Sequence, residues 1–90
     1  MNKMRRKSLQ EIIDRLETAK SDLEGISSDI DTIKDEEEEY RDNIPEAFQG
    51  GEKYEKADDA CNYLSEACSS IEDISSNLDE IISQIESAME

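Results

Sequence analysis

The 90-residue chain has no histidine, which removes the commonest general base and zinc ligand together. Its two cysteines, without other soft ligands, do not make a closed metal site. Cys61 and Cys68 are seven apart on one predicted helix, roughly 10 Å along its axis at 1.5 Å per residue, too far for an internal disulfide. No glycine-rich phosphate loop occurs, and Gly50-Gly51 reads as a turn. Carboxylates recur at helical spacing, but bundle metal sites pair inward glutamates with histidine, whereas nearly all the acids here fall on outward positions. We therefore expect no enzyme activity, no metal and no cofactor.

Long apolar runs are missing too. Nothing is long enough to cross a membrane, and Ser8, Gln10, Glu11 and Asp14 interrupt any apolar stretch after the basic start, so no secretory leader is expected. The expected location is the cytoplasm. Positive charge is scarce, with 10 basic residues against 25 acidic ones and a formal net charge of −15. Lys3, Arg5, Arg6 and Lys7 hold four of the ten, which leaves residues 8–90 with six bases and a net charge of −19. No direct nucleic-acid or membrane binding is expected of such a body. The basic cluster is expected to pair with Glu86 and Glu90.

What the chain does have is heptad text. Leu9, Leu16, Leu23, Ile30 and Ile44, with Glu37 breaking the series, alternate with Ile12, Ala19, Ile26, Ile33 and Tyr40. In the second half Ala57, Leu64, Ile71, Leu78 and Ile85 alternate with Ala60, Ala67, Ile74, Ile81 and Ala88. Folding the chain back pairs Tyr40 with Ala57, Ile30 with Ala67, Leu16 with Ile81 and Leu9 with Ala88. The two residue numbers of every such pair add to the same value. Repeats in that register predict an all-α fold, a long antiparallel two-helix hairpin of coiled-coil type.

The ends agree. Ser8-Leu9-Gln10-Glu11 has the form of a capping box, with Met1–Lys7 able to extend the helix backwards, and Asn43-Ile44-Pro45 closes the first repeat because the residue before proline leaves the α region. A single domain is expected, with helices over about 8–43 and 52–89, a turn over 44–51 and residues 1–7 as a basic extension. Each helix then spans about 54 Å. One helical turn at Pro45-Glu46-Ala47-Phe48 is expected to fold Phe48 over the end of the seam. Gly25, inside the first helix, reads as a tolerated outer position.

The apolar surface exceeds what one hairpin seam consumes. Cys61, Cys68, Ile82 and Met89 form a ridge beside the seam, matched by Ile13, and a ridge left in water points to pairing of two hairpins into a homodimeric four-helix bundle.

The turn segment Asp42-Asn43-Ile44-Pro45-Glu46, with Gln49, Gly51-Glu52, Glu55, Ala57 and the preceding acidic run around Tyr40, resembles that of small acidic helical-hairpin proteins of unknown function. Such proteins are encoded by bacteriophages and mobile elements of Gram-positive bacteria. The resemblance implies a short accessory protein acting in the cytoplasm of a bacterial host, and no mechanism. Charge geometry suggests one. A duplex presents roughly 16 phosphates per strand over 54 Å, close to the −19 of the body. An acidic surface of Asp35, Glu36, Glu37, Glu38, Glu39, Glu66, Glu72, Asp73, Asp79 and Glu80 is thus expected to mimic nucleic acid. It would inhibit a host protein with a basic surface, a defence nuclease or DNA-binding protein being the concrete form. The competing expectation is a structural adaptor working through the ridge.

Overall fold

The computed structural model describes all residues 1–90. It is all-helical: α1 spans Lys3–Asp42, a short 3-10 turn spans Glu46–Phe48, and α2 spans Glu52–Met89. No helix is long and apolar enough to cross a membrane. The residues divide into two compact units. A terminal unit joins Met1–Gly25 to Ile71–Glu90, and a turn unit runs from Ile26 to Ser70.

Helix α1 begins five residues before the expected cap at Ser8. Asn2 supplies the cap instead, its Oδ1 accepting from the backbone N–H of Arg5 at 2.8 Å, as asparagine does at a helix N-terminus. The basic cluster is therefore helical, and its role differs from the one expected. The Arg6 guanidinium donates to the Met89 carbonyl at 2.9 Å, and no ion pair joins the cluster to Glu86 or Glu90. Arg6 falls on the row that faces α2. There it meets an orphan carbonyl at the negative end of the α2 dipole.

At the turn, Asn43 and Ile44 still donate backwards to Glu39 and Arg41, and Pro45 stops the helix. Phe48 N–H donates to the Pro45 carbonyl at 2.8 Å and Gly51 N–H to the Phe48 carbonyl at 3.0 Å. A Cβ on Gly51 would stand 3.1 Å from that carbonyl oxygen, so this glycine permits a close backbone approach. Phe48 does not close the seam: it is 66% exposed, whereas Ile44 is half-buried.

Each unit buries one seam between its helices. The shared expectation holds for one row per helix: Leu9, Leu16, Leu23 and Ile30 on α1, and Leu64, Ile71, Leu78 and Ile85 on α2, are all half-buried, and Ala57 is buried. The second row differs. The inner positions on α1 are Ile13, Lys20, Ser27, Lys34 and Arg41, and on α2 they are Cys61, Cys68, Ser75, Ile82 and Met89. Ile13 and Cys61 are each 3% exposed and Ile82 is 8% exposed. The residues expected as an outward ridge are thus seam residues, half-buried Cys68 and Met89 included. The expected partners of the seam, Ile12, Ile26, Ile33, Tyr40, Ile74 and Ile81, are exposed.

The physical reason is that the apolar stripe is three rows wide, while two helices facing each other cover only two rows apiece. The row left inside is the one on which Lys20 and Arg41 find carboxylates across the seam and Lys34 finds them along its own helix. Lys20 Nζ lies 2.8 Å from Asp79 in the terminal unit, and Arg41 Nη1 lies 2.9 Å from Asp58 in the turn unit. Their aliphatic stems cover the seam while their charged ends reach its edge.

Candidate interaction surface

The two sides of the seam differ in kind. One residue per heptad, four after each inner position, gives Glu17, Glu24, Asp31 and Glu38 on α1. On α2 the same rule gives Asp58, Ser65, Glu72, Asp79 and Glu86. Two antiparallel helices are related by a two-fold axis normal to the plane they define, so equivalent heptad positions share a side. This side is acidic, and the inner cations bend to it. In the terminal unit the hydrogen bond that Lys20 donates to Asp79 contributes most to holding the Lys20 pKa above its ordinary value, with the charges of Asp79, Glu24 and Glu17 adding to it. In the turn unit Lys34 Nζ lies 3.3 Å from Asp31 and 4.0 Å from Glu38, and the same carboxylates raise its pKa. Arg41 is shared between Asp42 at 3.0 Å and Asp58 at 2.9 Å.

In each unit the other side carries the position preceding each inner residue, and none of its five places is charged. In the turn unit these are Ile26, Ile33, Tyr40, Ala60 and Ala67; in the terminal unit they are Ile12, Ala19, Ile74, Ile81 and Ala88. Charged residues make up 39% of the chain, so an uncharged row of this length is a designed feature of the pattern. Ile33 is 54% exposed, far from the state of Ile13. Exposed aliphatics gathered along one row form a candidate association surface.

The ten acids expected to form the partner surface separate into two groups. Asp35, Glu36, Glu39, Glu66, Glu72, Asp73 and Glu80 are exposed and make no ion pair. Asp79 is paired with Lys20, Glu38 approaches Lys34, and Glu37 is half-buried on the seam row. On α2 the free acids sit on and next to the acidic side. Sequence reasoning missed Lys20, Lys34, Arg41, Asp31 and Asp58 as members of this surface. Only the pairing of Lys34 with Asp31 and Glu38 follows from helical spacing; Asp58 and Asp79 meet Arg41 and Lys20 from the other helix.

Chemically the molecule offers little else. Groups of histidine, cysteine and carboxylate able to hold a metal ion do not occur. Burial pushes the Cys61 thiol above its ordinary pKa, with nearby Arg41 lowering it and Glu38 adding to the rise. Cys68 Sγ donates weakly to the Ser27 carbonyl at 3.7 Å. Both thiols are free. The chain matches no protein-family model, no curated protein and no solved structure.

Proposed function

We propose that this chain is a non-enzymatic interaction protein, a homodimeric four-helix bundle whose acidic sides face outward and dock on a basic surface of another protein. The observation that carries the reading is that in each unit one side of the seam is free of charge and the other is acidic. Pairing through the former leaves the latter to solvent or to a partner. Seven of the acids picked out from the sequence have no cation of their own. A partner's lysines and arginines would pair with them, as they pair with phosphates. In its concrete form the partner is a nucleic-acid-binding protein of a bacterial host, and the chain is a phage or mobile-element accessory that displaces its DNA or RNA.

A second reading is favoured by one observation, the exposed isoleucines: an adaptor that engages a different protein through its apolar side. The two are separated by exchanging Glu66, Glu72, Asp73 and Glu80 for glutamine, positions free of ion pairs in the fold. For a partner captured from the host and purified, the inhibitor reading expects duplex displacement that weakens steeply between about 50 and 200 mM salt and is lost in the glutamine variant. Binding that survives both the exchanges and the salt removes the nucleic-acid-mimic reading.

A further inference from the structure

We infer that the turn unit has two alternative seams, exchanged by rotation of its helices about their own axes, and that the Arg41–Asp58 ion pair latches the one observed. The row of half-buried Ile30 and Leu64 and buried Ala57 belongs to both seams. Beside that row, every inner position is preceded by an apolar one. Ile26 stands before Ser27, Ile33 before Lys34 and Tyr40 before Arg41 on α1, and Ala60 before Cys61 and Ala67 before Cys68 on α2. Successive residues of a helix are about 100° apart, so with the shared row between them a turn of about 50° carries the seam from one row to the other. Each row moves by one residue, and the antiparallel register is kept to within a residue.

Opposite contributions balance the two seams. Apolar area favours the one not observed, which covers Ile26, Ile33 and Tyr40, now exposed, in place of a serine, a lysine and an arginine. On α2 the exchange is nearly neutral, because two alanines replace two cysteines of similar size. The observed seam gains the aliphatic stems of Lys34 and Arg41 and the carboxylates that meet them. Of these, Asp31, Glu38 and Asp42 lie on α1 itself and travel with it. Asp58, 2.9 Å from Arg41, reaches over from α2, so its contact is the one that rotation breaks. The weak Cys68 to Ser27 hydrogen bond breaks with it. Because the Asp58 side chain is 44% exposed, salt and competing cations reach the latch. In the terminal unit the two rows are nearly equal, Ile12 for Ile13 on α1 and Ile81 for Ile82 on α2, so that unit does not oppose a turning α1.

Rotation has a consequence for association. It turns inward Ile26, Ile33 and Tyr40, part of the row assigned above to contact between copies, and thereby releases the second copy. This consequence rests on the dimeric reading; the rotation itself does not.

The test follows two groups that rotation moves in opposite directions. Cys61 passes from buried to exposed and Tyr40 from exposed to buried, whereas local or global unfolding exposes both. Alkylation of Cys61 is timed in the unaltered chain, relative to its rate in denaturant at the same salt. Quenching of Tyr40 fluorescence by acrylamide is read in a Tyr54→Phe, Tyr63→Phe chain, and both are measured at a dilution where sedimentation gives the mass of one chain. Raising salt from about 0.1 to about 1 M shortens the screening length from about 10 to about 3 Å. Alkylation is expected to become at least fivefold faster while quenching falls, with helicity unchanged. Asp58→Lys should do the same at low salt, and adding Arg41→Glu to it should restore slow alkylation. If Cys61 and Tyr40 become accessible together, or neither responds to salt and to Asp58→Lys, the inference is overturned. A dimer at every dilution and salt with Cys61 unreactive overturns it too, and leaves the dimeric reading standing. Opposite changes in a chain that is single at every concentration leave the rotation standing and remove the dimer.

Discussion

The two helices treat the seam differently. The inner row of α2 is Cys61, Cys68, Ser75, Ile82 and Met89, with no charge, while that of α1 is Ile13, Lys20, Ser27, Lys34 and Arg41. Yet α1 carries the richer apolar row on its outside, at Ile12, Ile26, Ile33 and Tyr40. Helix α2 keeps its inner row free of charge, whereas α1 turns cations inward and leaves isoleucines outside. The row a helix turns inward is thus set by what the facing helix supplies and not by hydrophobicity alone.

That contrast is broken most severely from the α2 side. Ile82→Ala removes most of a buried side chain and should lower stability by about 2–4 kcal/mol, read as the denaturant midpoint of helicity by circular dichroism. A loss under about 0.5 kcal/mol would mean that the inner row of α2 does not hold the hairpin. The mirror experiment is Ile33→Ala on α1, which should leave a dilute hairpin unaffected while abolishing the concentration dependence of its melting temperature.

A smaller effect of opposite sign is expected at Gly25. A Cβ there meets nothing within 4 Å, so Gly25→Ala should stabilise the helix by about 1 kcal/mol. A destabilised variant would reveal a close neighbour over that position. Thiol chemistry sharpens the inner rows further. Burial raises the Cys61 pKa, so its thiolate forms only at higher pH than that of a free cysteine, about 8.5. Alkylation at pH 8 should therefore be slower at Cys61 than at half-buried Cys68, and the difference should vanish in denaturant. The smallest change is expected from Lys20→Gln. Its partner Asp79 is largely exposed, exposed ion pairs contribute little, and the unfolding midpoint should barely move.

The helices, the turn and the antiparallel register were legible in the sequence. Cross-seam contacts confirm the register: Arg6 with Met89, Cys68 with Ser27, Lys20 with Asp79 and Arg41 with Asp58 have residue numbers that sum within two of those expected for facing pairs. Which row faces inward was not legible. Leu9, Leu16 and Leu23 can be completed by the residues three later or by those four later, and hydrophobicity alone selects Ile12, Ala19 and Ile26. The alternative, with Lys20 and Arg41 inside, gains from aliphatic stems and from carboxylates supplied by the other helix, and neither is visible until both helices are placed. The helix start was missed because Asn2 caps as well as Ser8 does.

The central claim, that the outer row of α1 is a contact between copies, is tested most directly by sedimentation equilibrium of the unaltered chain and of Ile33→Glu at micromolar concentration. The expected mass is twice 10.2 kDa for the former and 10.2 kDa for the latter, with equal helicity. A single-chain mass for both, or a dimer for both, would contradict it.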